Sequence, residues 1–332
     1  MAGERSRPEN KGIEMKRIGN IYSQICSIDN LRLADQRASK GKSAQRGVIA
    51  HNRDREANIE LLHEMLVNKT YKTSPYHVFK IFETKEREIY QLPYFPDRIV
   101  HHAVMNVLEP VFVASFTADS YSCIKGRGVH KMGEALKRAL RDQKGTEYYL
   151  KLDIRKFYPS IDHEVLKQLL RKKFKDSDLL WLLDEIIDSA PGLPIGNYLS
   201  QYLANFYLTY FDHWLKEVRG VEYYFRYADD MVILGDAAYL HALRVDIQRY
   251  LKEELRLELK SNWRVCPVAA GGIDVIGYNY FHTHTLLRKS IKKKFARMLK
   301  RNPNAASIAS YMGWAKHCNS RHLLKKLLHE EL

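Results

Sequence analysis

Residues 221–235 read VEYYFRYADDMVILG. Aromatic and branched residues favour a pleated, half-buried backbone, and Asp tolerates a tight turn. The stretch therefore reads as two short strands with the acidic pair Asp229-Asp230 at their turn. Upstream, from Glu147, the chain reads Tyr-Tyr-Leu-Lys-Leu-Asp153-Ile, a strand that ends on a third carboxylate. A strand end and a hairpin turn, each carrying Asp, set the question for the rest of the chain.

Outward from these strands the pattern alternates between strand and helix. Pro159 and Asp162 start a helix with Val165, Leu166, Leu169 and Leu170 inward. Residues 191–197 (PGLPIGN) form a Pro/Gly turn, after which a long helix starts near Ser200. Residues 239–259 return to helical period through Leu240, Leu243, Ile247, Tyr250 and Leu251. Gly271-Gly272 and IDVIGYNYF predict a final hairpin, and from 288 the chain is helical and very basic. Towards the N-terminus, Tyr76–Phe82 alternates as a strand paired with residues 85–92. Pro96-Asp97 opens a helix that Pro110 is expected to stop. Residues 54–68 carry Ile59, Leu61, Leu62, Met65 and Leu66 at helical spacing. Residues 35–55 read as a basic loop or arm, and residues 1–12 as a disordered tail. The expected class is α+β, with helices packed on one antiparallel sheet.

Composition narrows the function. The chain has 332 residues, 45% of them apolar, which is enough for a packed interior and excludes a wholly disordered chain. Lys and Arg number 54 against 39 Asp and Glu, a formal charge of +15. That excess points to a polyanion, nucleic acid before membrane. The 21 Tyr offer rings for base stacking as well as for packing. Four scattered Cys without a CxxC give no disulfide framework or zinc ribbon. The 14 His lack Cys or carboxylate partners at ligand spacing, so His101-His102 and His282/His284 read as structural or phosphate-facing. The polar N-terminus has no apolar signal region and no run is long enough to span a membrane, so a cytoplasmic protein is expected.

Hard divalent cations take oxygen ligands, and Mg²⁺ binds through one or two carboxylates plus substrate phosphates. Two such ions can clamp both oxygens of an in-line phosphoryl displacement. Asp153, Asp229 and Asp230 are the candidates to hold them.

Tyr227-Ala228-Asp229-Asp230 resembles the YxDD box of reverse transcriptases, and residues 150–162 (LKLDIRKFYPSID) resemble their first catalytic motif. Residues 193–201 (LPIGNYLSQ) stand where the Gly-containing second motif belongs. LPYFPDRIVHHAVMNVLEPVF (92–112) and SYSCIKGRGVHKMGEAL (120–136) are similar to the fingers segments of bacterial group II intron and retron enzymes. The likeness covers roughly 75–290, in order. It implies a right-hand polymerase: N-terminal basic arm 1–55, fingers 56–146, palm 147–285 and thumb 286–332.

The same resemblance implies roles. Asp153 and Asp229 would be the principal ligands of two Mg²⁺ (Mn²⁺ as substitute), with Asp230 and the Ile154 carbonyl assisting. Tyr158, or Phe157 beside it, would be the steric gate against a ribose 2′-OH. Lys260 would lie near the leaving pyrophosphate, and Arg87 and Lys85 would hold the triphosphate. Gly277 falls in the primer grip. Lys125 and Arg127, in a Lys-Gly-Arg-Gly run, would approach template phosphates, and Lys292, Lys293, Lys294 and Arg297 in the thumb would ride on the duplex backbone.

One departure is informative. Most reverse transcriptases carry Gln before the Gly of the second motif and Ser-Pro at its end; here Ile195 precedes Gly196, and Ser200-Gln201 closes the motif. This resembles the enzymes of diversity-generating retroelements, which copy a template-repeat RNA and misincorporate opposite adenine. Ile195 cannot supply the hydrogen bond of Gln. Such a bond contributes ~0.5–1.5 kcal/mol, or roughly 2- to 12-fold in discrimination. The expected function is an error-prone RNA-directed DNA polymerase of bacterial, archaeal or phage origin, acting on template RNA, primer or cDNA and deoxynucleoside triphosphates. A small basic accessory protein is the implied partner. No ribonuclease H, endonuclease or integrase segment is read after the thumb, so retrohoming is expected to need other proteins. A retron or group II intron enzyme, a non-catalytic RNA-binding maturase and an RNA-dependent RNA polymerase are the alternatives.

Overall fold

The computed structural model describes residues 17–82, 86–301 and 304–328. The expected N-terminal tail and Lys85 lie outside them. The strands among the described residues are β1 (His77–Phe82), β2 (Glu86–Gln91), β3 (Tyr148–Asp153), β4 (Tyr223–Tyr227), β5 (Asp230–Gly235), β6 (Arg264–Pro267), β7 (Ile273–Val275), β8 (Tyr278–Tyr280) and β9 (Thr285–Leu287). The class is α+β, as expected, but these strands form three antiparallel sheets, not one: β1-β2, β4-β5-β3-β6 and β7-β8-β9.

The chain divides into two compact units. One comprises residues 1–115 and 161–219, the other residues 116–160 and 220–332. Residues 116–146 fall in the unit of the β3–β5 sheet, and residues 161–219 in that of the N-terminal helices.

The first unit is mainly helical. Its central helix, Ile99–Ser115, buries Val100, Ala103, Val104, Leu108 and Phe112. Pro110 does not stop it, contrary to expectation: the helix runs through to Ser115. An interior Pro costs about 3 kcal/mol. Burial of Leu108, Phe112 and Ser115 on either side holds the helix together against that cost. Residues 35–55 are not a loop. Most of them fall in the helices Ile28–Ser39 and Arg46–Arg53. The network behind this centres on buried Asp35, which accepts from Tyr94 at 2.5 Å and from half-exposed Arg55 at 2.6 Å, and lies 3.2 Å from His51. Polar residues at inward positions gave the segment its loop-like appearance; they are the ones that pin it.

The second unit builds the acidic strands into a core. Tyr149, Phe225, Val232 and Leu234 from the four-stranded sheet meet Ile273, Val275, Tyr278, Tyr280 and Leu287 from the three-stranded one. Met132, Leu136 and Leu140, from the Val129–Ala139 helix and its end, complete this core. The Ala237–Leu255 helix packs on β3, β5 and β6. The basic helix Lys289–Leu299 buries Phe295, stacked on Tyr311 at 4.8 Å, and packs Ile291 against the core.

Candidate active site

The register of β3 and β5 decides the geometry. Asp153 pairs directly with Asp230, and Tyr227 of β4 pairs with the same Asp230. Ala228 and Asp229 form the two-residue turn between β4 and β5. The Ile154 amide donates to the Asp229 carbonyl at 3.4 Å, so the end of β3 is tied to the turn itself. Three carboxylates are thus carried on adjacent backbone at one end of the sheet.

Their electrostatics match the backbone. Burial raises the Asp229 carboxyl; Asp153 and Asp230 raise it further, while its own backbone N–H and Lys260 pull it down. Burial likewise raises Asp230, against Lys151, Lys260 and Arg288, with Asp153 adding to the rise. Like charges gathered out of water are stable only with a cation among them. Lys260 supplies one: its ammonium donates to Asp153 Oδ2 at 2.5 Å and lies equally near Oδ1. The second contact is off the hydrogen-bonding direction, which leaves the buried Oδ1 without a hydrogen bond. Lys260 is held there by backbone, its N–H bonding the Asp153 carbonyl at 2.9 Å.

Among the described residues, no three His, Cys, Asp or Glu side chains are grouped closely enough to hold an ion by themselves. The expected three-carboxylate cage is therefore not preformed. The donor set still suits a hard cation: carboxylate oxygens, one of them without a hydrogen bond. Mg²⁺ needs no more than one or two carboxylates when phosphate and water complete its shell.

The two adjacent rings separate cleanly. Phe157 is buried, and Tyr158 is half-buried, set edge-on to it at 5.7 Å. Burial pushes the Tyr158 hydroxyl up, and Cys123 and Asp229 push the same way. Tyr158, not Phe157, shares the neighbourhood of the turn.

A residue that pattern reading passed over lies beneath the turn. Arg226 is 0% exposed and the largest fully buried side chain among the described residues. It donates to the Ala228 carbonyl at 3.2 Å and to Ser120 Oγ at 2.7 Å. Its strand position could have signalled this, because period-2 alternation puts it on the face of buried Tyr224. Ala228 itself has φ +54, a left-handed conformation that costs a residue with a Cβ about 1–2 kcal/mol.

Other expected residues fall variously. Arg127 does not reach outward: it donates to the carbonyls of Thr117 at 2.5 Å and Ser120 at 2.9 Å, bracing the loop. Lys125 is exposed, as are Lys293, Lys294 and Arg297; Lys292 is half-buried. Gly277 has φ +91 and lies under Trp314, so its lack of a Cβ is needed for packing. In the other unit, Arg87 is exposed on β2, opposite Ile81. There the Ile195 carbonyl accepts from Tyr90 N at 2.9 Å, and Asn197 donates to the Tyr76 hydroxyl at 3.0 Å. Gly196 has φ +124, and a Cβ there would stand 2.7 Å from the Tyr90 carbonyl. The second motif is thereby clipped to the β1-β2 hairpin. Gln201 is exposed on the helix that follows.

With this arrangement in place, comparison with known proteins is direct. The family model "Reverse transcriptase (RNA-dependent DNA polymerase)" matches residues 77–279. The chain belongs to the reverse transcriptase family. Among relatives, Protein YkfC of Escherichia coli K12 is 25% identical over 244 residues, 60% of this chain and 62% of that protein. The group II intron-encoded protein LtrA of Lactococcus lactis is 25% identical over 60% of this chain and 35% of its own length. The retron Ec73 reverse transcriptase of Escherichia coli is 26% identical over 59% of this chain and 69% of its own. The chain thus spans less than two thirds of YkfC and LtrA. In fold, this reverse transcriptase family member is similar to Candida albicans telomerase, solved in complex with a TWJ fragment of telomeric RNA. The TM-score is 0.51 at 11% identity, covering 73% of this chain and 55% of that one. No helix among the described residues is long and apolar enough to cross a membrane.

Proposed function

We propose that this chain is an RNA-directed DNA polymerase that adds deoxynucleoside monophosphates to a primer 3′-OH and releases pyrophosphate. The observation that carries the reading is the pairing of Asp153 with Asp230 beside the Asp229 turn. Asp153 and Asp229 would hold the divalent ions, with Asp230 and the Ile154 carbonyl in support. Two Mg²⁺, or Mn²⁺ in their place, would supply positive charge to the primer oxygen and the leaving phosphates. Lys260 balances Asp153 and is the proton-bearing group nearest it. The Tyr158 ring excludes a ribose 2′-OH, and Arg87 and Lys85 neutralise triphosphate. Lys125 and the thumb residues Lys292, Lys293, Lys294 and Arg297 contact template and primer phosphates without reading sequence. The fingers, palm and thumb bounds given above belong to this reading, as does a cytoplasmic location. Primer extension on a defined RNA tests it. Asp229→Ala should abolish cDNA synthesis and leave RNA affinity intact; a variant that still extends primers refutes the assignment.

Within that activity, the proposed role is mutagenic copying of a template-repeat RNA in a diversity-generating retroelement, helped by a small basic accessory protein. Ile195 before Gly196, and Gln201 after Ser200, support it. Ile195→Gln should lower misincorporation opposite template adenine by roughly 2- to 12-fold. An unchanged error spectrum removes Ile195 from the account. The likeness to the retron and LtrA proteins favours a second reading, a retron or intron-type enzyme. Uniform, low error at all four template bases would select it.

A further inference from the structure

A buried guanidinium is costly unless it is hydrogen-bonded, so a fully buried Arg next to a reactive turn needs a reason. Arg226 is anchored from several directions. Its backbone N–H donates to the Asp119 carbonyl at 2.9 Å, and its carbonyl accepts from Tyr121 at 3.0 Å. Its side chain takes Ser120 Oγ, while Arg127 grips the Ser120 carbonyl. From this fixed base the guanidinium reaches forward to the carbonyl of Ala228.

That carbonyl belongs to the peptide joining Ala228 to Asp229. The N–H of the same peptide faces the Asp229 carboxylate. One rigid plane therefore has Arg226 on its oxygen and the Asp229 carboxylate on its hydrogen. Rotating the plane would move both. Ala228 resists the observed conformation, because its Cβ is disfavoured at φ +54. A donor on its carbonyl is the device that holds it.

We propose that Arg226 is a positioning residue for the polymerase reaction, setting the Ala228–Asp229 peptide and so the direction of the Asp229 carboxylate. The role rests on the polymerase reading above and adds to it a residue that touches neither nucleotide nor ion. Lys in place of Arg keeps the charge and loses the planar pair of donors that spans Ser120 and Ala228.

The test is single-nucleotide incorporation by the full chain on an RNA template with a DNA primer. Maximal rate and nucleotide KM are resolved, and primer–template affinity is measured alongside. Arg226→Lys should lower the maximal rate at least 10-fold, with nucleotide KM and primer–template affinity within 3-fold of wild type. Ser120→Ala, which leaves the guanidinium in place, should lower the rate by a smaller factor and covers the case in which the Lys variant does not fold. The discriminating arm is a double-mutant cycle. Gly adopts the left-handed conformation freely, so the Arg226→Lys loss should shrink at least 3-fold in the Ala228→Gly background. A purely structural Arg predicts no such rescue. Equal losses in both backgrounds, or a rate unchanged in both Arg226→Lys and Ser120→Ala, overturn the proposal. A wild-type chain that makes no cDNA overturns the polymerase reading itself.

Discussion

Asp153 and Asp230 face each other across β3 and β5, and that pairing leaves Ala228 and Asp229 as the turn. A one-residue slip of this register would send the alternating side chains of β5 to the opposite face, exchanging Val232 and Leu234 with Met231 and Ile233, which are buried on the other side. The fit of each set to its own side thus specifies the placement of the acids. The core and the site are one constraint.

Placement under that constraint carries a cost in stability. Asp229 and Asp230 are both raised, by burial first and by neighbouring carboxylates after. A carboxyl whose folded pKa lies above its unfolded one destabilises the fold at neutral pH, where it is charged. Asp229→Asn should therefore stabilise the metal-free protein while lowering primer extension about a thousandfold. Urea unfolding in the presence of a chelator and extension kinetics in Mg²⁺ check the two halves. Loss of both stability and activity would mean the acids are not in mutual repulsion.

The ring next to the turn predicts sugar selection. Phe157 is buried, leaving Tyr158 as the ring near Asp229. Tyr158→Ala should reduce preference for deoxynucleotides over ribonucleotides by on the order of 10- to 100-fold. Phe157→Ala should lower stability instead. Comparing dGTP with GTP incorporation in the two variants checks the assignment. Equal sugar discrimination in wild type and Tyr158→Ala would remove Tyr158 from the gate.

Gly196 predicts a local backbone effect. Its φ of +124 is unfavourable for any residue with a Cβ, and that Cβ would meet the Tyr90 carbonyl at 2.7 Å. Backbone cannot yield as a flexible side chain does. Gly196→Ala should destabilise the protein by about 1–3 kcal/mol and release the Tyr90–Ile195 hydrogen bond. Amide exchange at Tyr90 reports that bond directly, and unchanged protection there would show that the loop absorbs the methyl group.

The hairpin β4-β5 and strand β3 were legible because short aromatic and aliphatic runs end on turn-tolerant Asp, a purely local signal. The edge strands β6 and β9 were not: they are short, and unlike β7 and β8, which flank Gly277, neither is marked by a Gly turn. The helix Ser177–Ile187 hid behind a near-continuous apolar run, and Arg46–Arg53 behind its basic composition. In the latter, a single Val48 and the buried His51 replace an apolar stripe. Pro110 misled because its local rule yields to the packing of Phe112 and Ser115. At the site, the acids were visible; alternation along β4 could signal that Arg226 turns inward, but not its bond to Ser120, which lies on a segment that only folding brings near.

Two adjacent imidazoles of the central helix, His101 buried and His102 half-buried, predict the acid behaviour of the protein. Burial, and then His102, pulls His101 down to about 4. Burial, followed by Lys42, Arg37 and Arg98, pulls His102 down to about 4 as well. In the unfolded chain both titrate near about 6.5. Between these values the unfolded chain binds protons that the folded chain refuses, so stability falls as pH drops from about 6.5 to about 4 and levels off below. For His101, which is fully buried with Nε2 unbonded, the loss is about 3 kcal/mol. His101→Leu removes that titration and should flatten the profile by close to one proton. Urea midpoints at about pH 7 and about pH 4.5, in wild type and variant, measure it. A variant that retains the full wild-type slope would assign the acid sensitivity to groups other than His101.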